Sequence, residues 1–393
     1  MNIVALLLFI ASFSIIVFLI ANKKNFGMAM ITGAFLLSLS IPSKMPSVLL
    51  QTITDFKVIA LMIIVVLIKM LAAVLEKGGL IQEIIKTFER KLSPRGILIA
   101  MPSILGLLPV PGGALLSAPI VKRQGDAIKM DRERQMSVNL WYRHIGFMVY
   151  PLSTTLIVLA GLSGIDVYTL ILYQIPLFII SFAIGYTFVY KYGGRKAKGD
   201  DEGSLIGLIP IFLPVAIAVP LSIVLAEYFS KEIATYISYL IAIPAGLIVA
   251  IKLTGEIEPR SIDLTLAIAI FGIMLFKNII NATGITSDIS SYLSFLPILI
   301  LIPLVSFVIG ILTAHNMAAI AILYPMFSSI MDINLVIIMF ISSFFGYLLS
   351  PLHLCIAVTY DYFKPNFGKF YKIIAPPSIV VMVIVVILYG IVM

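Results

Sequence analysis

Charge is scarce in this sequence. Only 12% of its 393 residues are charged, against about a quarter in a typical soluble domain. With 61% hydrophobic residues and a mean hydropathy of +1.13, a soluble globular protein is excluded and an all-α polytopic membrane protein is expected. A single cysteine, Cys355, excludes an internal disulfide; packing rather than chemistry is expected of it. No aspartate or glutamate lies well inside an apolar run, which argues against a carboxylate proton relay or an acidic cation cage and favours an anionic substrate. There is no HExxH helix, GxSxG elbow, Walker loop or pair of intramembrane aspartates, so the common catalytic and nucleotide-binding classes find no support. The formal net charge of +8 does not call for nucleic acid, because the basic residues sit in short loops where membrane orientation explains them.

What is abundant is apolar sequence long enough to span a bilayer, about 20 residues at a time. Ten spans are expected near 3–21, 26–41, 56–76, 136–160, 168–190, 205–226, 234–251, 263–282, 335–358 and 373–392. The first has no basic leader or small-residue cleavage site and reads as a retained helix. Two more apolar segments, near 96–121 and 297–326, are interrupted. The first contains Gly106-Leu-Leu-Pro-Val-Pro-Gly-Gly-Ala-Leu-Leu-Ser-Ala-Pro119, with three prolines and three glycines in fourteen residues. Hydrocarbon cannot satisfy the backbone groups such a stretch frees. It reads as a re-entrant hairpin turning at 109–113, the alternative being a kinked spanning helix. With both interrupted segments as hairpins, 21 of the 27 basic residues fall in loops on one side. That side is expected to be cytoplasmic, with both termini external.

The charged, glycine-bearing linker 191–204 divides the chain into halves, 1–190 and 205–393, of five spans and one hairpin each. Gly146-x4-Pro151-Leu152 recurs as Gly346-x4-Pro351-Leu352, each in the span after a hairpin. Gly106 and Pro119 bracket the first hairpin as Gly310 and Pro325 bracket the second, and Glu76-Lys-Gly-Gly-Leu80 ends a span as Asn281-Ala-Thr-Gly-Ile285 does. Five spans precede the linker, so the second half is an inverted repeat of the first. Interrupted helices at matching places in inverted repeats point to a transporter site.

Each break exposes a helix N-terminus that attracts anions. Ser350-Pro351 reads as an N-cap with proline at the first helical position. Pro151-Leu-Ser-Thr-Thr155 places three hydroxyls past the other break, and Thr313-Ala-His-Asn316 forms the polar turn of the second hairpin. These hydroxyls either cap helices or bind substrate or sodium. All three histidines, His144, His315 and His353, fall at interruptions; His315 and His353 are the stronger candidates for substrate or proton ligands. Arg143 either contacts an anion or snorkels to the interface. For Lys69 and Lys277, pairing or packing is expected.

The stretch Leu108-Pro-Val-Pro-Gly-Gly-Ala-Leu-Leu-Ser-Ala-Pro119 resembles the Pro-Gly-Gly hairpin of the gluconate permeases. With the repeat, the chain is similar to members of the ion-transporter superfamily and, within it, to a prokaryotic family of integral membrane proteins of unknown function. The resemblance implies a dimerising scaffold subdomain and a moving transport subdomain made of hairpins and broken helices. It also implies a substrate site at Pro111, Gly112, Gly113, Ser153, Thr154, Thr313, His315, Asn316, Ser350 and His353, with Arg143 and His144 as further anion contacts. The expected function is cation-coupled transport of a small organic anion, a carboxylate or sugar acid, driven by Na+ or H+ through an elevator-type movement. A homodimer is expected, with no cofactor and no enzymatic activity. Pro-Val-Pro-Gly-Gly departs from the Ser-Asn-Thr tips of sodium-dicarboxylate members and offers no side-chain ligand for sodium. The competing reading is a lipid-handling protein or an intramembrane enzyme using the three histidines, which together suffice to ligate a metal.

Overall fold

Prolines, glycines and short polar caps cut the apolar sequence into helices. The structure, a computed structural model, describes residues 3–108, 113–193, 204–256, 262–286 and 297–392. Its regular elements are all helical. In chain order they are α1 (Ile3–Ala21), α2 (Phe26–Ser38), α3 (Met45–Thr54), α4 (Phe56–Lys77), α5 (Leu80–Lys91), α6 (Pro94–Gly106), α7 (Ala114–Ala127), α8 (Arg132–Ile145) and α9 (Thr154–Ser163). Then follow α10 (Val167–Tyr186), α11 (Ile209–Leu225), α12 (Lys231–Thr254), α13 (Thr265–Thr283), α14 (Ile298–Thr313), α15 (Asn316–Phe327), α16 (Ile333–Leu349), α17 (Leu354–Phe363) and α18 (Phe367–Ile387). Eight helical segments among the described residues are long and apolar enough to cross a membrane. The chain is an all-helical integral membrane protein.

Ten spans are expected from the sequence, and the two that fall short do so for visible reasons. Helix α2 has 13 residues, about 20 Å at the helical rise, against a hydrocarbon core of about 30 Å. The expected span 136–160 is two pieces, α8 and α9, separated by a 3-10 turn at Gly146–Met148. Short polar side chains start the helices: Asp131, Asp166, Asp332 and Asn366 each accept a backbone N–H from the first turn, which satisfies an otherwise orphaned donor.

The helices sort into two groups by what they touch. In one, α1 packs on α2 and α11 on α12; α2 crosses to α13, α12 crosses to α4, and α4 meets α13. In the other, α6, α7 and α8 pack together as do α14, α15 and α16, while α7 meets α17 and α15 meets α9. Each contact thus has a counterpart in the other half of the chain. The match extends to details. Every arm of the two hairpins carries one interior proline, at Pro102, Pro119, Pro303 and Pro325. Gly106, the last residue of α6, and Gly310, inside the last turn of α14, sit in close crossings: a Cβ would stand 2.1 Å from the Arg143 carbonyl oxygen and 2.3 Å from that of Ser343. Arg143 and Ser343 each lie three residues before the matched Gly146 and Gly346.

The first hairpin's arms are α6 and α7; of its turn, Pro109 to Gly112 lie outside the described residues, as do 194–203 of the linker. In the second hairpin α14 ends at Thr313, Ala314 takes a left-handed conformation (φ 50°), and α15 starts at Asn316. The expected N-cap at Ser350-Pro351 is displaced. Ser350 ends α16 with extended backbone (ψ 124°) and the chain restarts at Leu354 with His353 as N-cap. The proline ring disfavours a helical conformation in the residue before it, so α16 does not continue past Ser350, and a turn at Pro351–Leu352 delays the restart to Leu354.

Candidate functional site

A cavity of about 280 Å³ lies where the two groups of helices meet. Lys69 of α4 and Leu266 of α13 line it from one group; both breaks and the second hairpin's turn line it from the other. Of the sequence-predicted residues, Ser153, Thr154, His315, Asn316 and His353, with Arg143 and His144, come together on its wall. Three others do not face it. Gly113 is the N-cap of α7. Thr313 is buried and donates to the Ile309 carbonyl (2.8 Å), the role of a hydroxyl that serves its own helix. Ser350 donates to the Ile311 carbonyl (2.6 Å), fastening the second break to the second hairpin. Pro111 and Gly112 lie outside the described residues.

The two helices that restart at the breaks present similar N-termini. Ser153 (φ −64°, ψ 116°) precedes α9 and His353 (φ −65°, ψ 122°) precedes α17, and neither side chain caps its helix. The sequence offset between them is 200, and it holds for Gly146/Gly346, Pro151/Pro351, Gly164/Lys364, Asp166/Asn366 and Pro176/Pro376. First-turn N–H groups without an intrahelical partner and the positive end of each helix dipole therefore point at one place.

Arg143 is buried and does not snorkel; its Nη1 donates to the Leu105 carbonyl at the end of α6 (2.9 Å). The rest of the guanidinium faces the cavity and the Cys355 thiol. His144 contacts the Leu140 carbonyl through Nδ1 (2.6 Å). A carbonyl only accepts, so Nδ1 carries the proton and Nε2 keeps a free lone pair. The His353 ring lies tilted at 4.2 Å from the Tyr347 ring and edge-on at 4.9 Å from His144, centroid to centroid. His315 stands apart, stacked on Phe26 of α2 (6.1 Å). Asn316 accepts from Ser343 (2.8 Å), which orients its amide at the cavity edge.

Three cavity residues escaped the sequence reading. Tyr347 and Cys355 lie in apolar runs and carry no periodic signal; the 200-residue offset, which sets Cys355 opposite Thr155 in the first turn after each break, was the available clue. Lys69 was expected to pair, and it does so with Asp263, while Lys277 donates to the Gly161 carbonyl (2.9 Å).

Together these features define a polytopic helical membrane protein with a cavity between two helix groups, lined by apolar and polar side chains and by two helix breaks. The chain belongs to the DUF401 family, described as proteins of unknown function, whose family model matches residues 4–392. No curated protein matches the chain, so the likeness to gluconate permeases stands on the hairpin motif alone.

Proposed function

We propose that the chain is a secondary active transporter for a small organic anion, coupled to a Na+ or H+ gradient. One observation carries this reading: no carboxylate lines the cavity among the described residues, whereas a buried guanidinium and two uncapped helix N-termini face it. Lys69 is neutralised by Asp263, and among the described residues Arg143 has no acidic partner on the wall. The volume is near the lower bound for small-molecule sites, roughly 300 Å³, and favours a compact acid over a lipid.

The paired contacts and the 200-residue offset support two inverted repeats, with α6–α7 and α14–α15 as re-entrant hairpins. The proposed moving unit is α6–α10 with α14–α18. Helices α4 and α13 are left out of it because they pack chiefly on α12 and α2. The α1–α4 and α11–α13 group is the scaffold, and an elevator-type shift of one group against the other alternates access. In this reading the protein lies in a prokaryotic inner membrane with external termini and dimerises through the scaffold. Purified protein screened against carboxylates and sugar acids, with and without sodium and at two pH values, is expected to show ligand-dependent stabilisation by mass action. Arg143→Met is expected to abolish it. Proteoliposomes that take up no such anion under any imposed gradient would sink the proposal.

A further inference from the structure

We propose that His144, His353 and Cys355 bind a soft monovalent metal cation of the Cu(I) class. The site shares His144 and His353 with the cavity wall, but its test does not depend on which anion is carried. One nitrogen from each imidazole and the Cys355 sulfur lie within 4.8 Å of one another, and all three residues are buried. His144 has its Nδ1 engaged by the Leu140 carbonyl, the backbone contact that commonly orients a metal-ligating imidazole and leaves Nε2 free to ligate. His353, 3% exposed and on the cavity wall, has an Nδ1 that makes no hydrogen bond of normal geometry among the described residues. A buried polar atom without a partner is rare in a folded protein and needs a reason. A metal bound here supplies one.

Ligand type and charge select the class of ion. Thiolate and imidazole favour soft cations, whereas hard Mg2+ or Ca2+ need oxygen ligands, and no carboxylate lines this cavity among the described residues. Bonds of about 2.0–2.3 Å put ligand atoms about 3.5 Å apart around a tetrahedral ion and about 4.3 Å apart across a linear one. Atoms within 4.8 Å of one another reach such spacings with a small side-chain movement, so ligand type and charge decide the ion. Arg143 lies against Cys355, and Lys69 and His315 line the same cavity. In low dielectric beside a guanidinium, added positive charge is costly. A monovalent cation that displaces the thiol proton leaves the local charge unchanged, since Cys–SH plus M+ gives Cys–S–M plus H+, with the proton leaving to solvent. A divalent ion adds one charge. The ligands come from α8 and from the start of α17, so the cation would join the two halves of the chain.

The test uses full-length protein in detergent, titrated with Ag+ as a redox-stable monovalent probe and with Zn2+ in parallel. We expect one high-affinity Ag+ per chain above the background set by methionines. Cys355→Ser should weaken it at least 100-fold, and His144→Ala or His353→Ala at least tenfold. Equal binding by wild type and Cys355→Ser overturns the proposal, as does binding that both histidine variants leave intact, which is a lone thiol. Stoichiometric Zn2+ binding without preference for Ag+ overturns the monovalent class. X-ray absorption on Cu(I)-loaded wild type avoids any folding defect in the variants: one sulfur with nitrogen ligands supports the site, and sulfur-only coordination overturns it.

Discussion

The two helix breaks have nearly the same backbone and quite different surroundings. Ser153 and His353 share φ and ψ to within a few degrees, yet Leu152 is 2% exposed and its counterpart Leu352 is 54% exposed. The first break is fastened to the other helix group: Tyr239 of α12 donates to the Pro151 carbonyl (2.9 Å), and Tyr150 donates to the Ile211 carbonyl of α11 (3.1 Å). The second break is fastened within its own group, by Tyr371 to the Leu349 carbonyl (2.9 Å) and by Ser350 to α14. The chemistry differs as well, with Ser153, Thr154 and Thr155 on one side and His353, Leu354 and Cys355 on the other. Repetition of glycine and proline fixes the shape; the residues between them decide what the shape holds.

That comparison can be broken most severely at the glycines its shared backbone depends on. Gly106→Ala, Gly310→Ala and Gly346→Ala each drive a Cβ to within 2.1–2.3 Å of a backbone oxygen on a crossing helix. Each is expected to cost more than about 3 kcal/mol, the upper end for overpacking, because no side chain can move aside. Thermal unfolding in detergent reads this, and a change under 1 kcal/mol would show that the crossings are looser than described. The next largest effect is in exposure. In a Cys355→Ala background, a polar maleimide is expected to modify Leu352→Cys and spare Leu152→Cys. If inverted repeats exchange roles between states, conditions that favour the opposite state should reverse the pattern.

Smaller effects separate the anchors. Tyr239→Phe and Tyr371→Phe each remove one hydrogen bond, about 1 kcal/mol. Only Tyr239→Phe spans the two groups, so it alone should raise labelling at Leu152→Cys; equal effects would mean that the first break is not held by the other helix group. At the start of α8, burial pushes the Asp131 carboxyl up. Bonds from the Arg134 backbone N–H, the Tyr192 hydroxyl and the Arg134 guanidinium outweigh that and hold it below its ordinary value. A depressed carboxylate contributes stability above its unfolded pKa of about 3.9 and loses it as pH falls through the lower folded value. Asp131→Asn should therefore destabilise slightly at neutral pH, and melting curves should converge with wild type below about pH 4. Least of all, Ser153→Ala should cost under about 0.5 kcal/mol, because Ser153 caps nothing. Asp166→Ala removes a true cap and should cost about 1 kcal/mol.

Much of this was legible in advance because hydrophobic run length and proline chemistry act locally. The helices, the interruption after Ile145 and the turn at Thr313–Asn316 follow from which residues can continue a helix in hydrocarbon, whatever surrounds them. The placement of histidines at breaks was legible too, but it favoured His315 and His353, whereas the structure brings His353 together with His144. What could not be read was which neighbours those breaks meet. Lys69 finds Asp263 across 194 residues, Tyr239 reaches Pro151 across 88, and Cys355 joins two imidazoles in place of His315. By itself the sequence determined a helical membrane chain with breaks at set places, since backbone satisfaction in lipid is a local demand. Only the tertiary structure decided that both breaks open on one cavity and that one is covered while the other lies exposed, because close approach between distant helices depends on side-chain packing that no local pattern encodes.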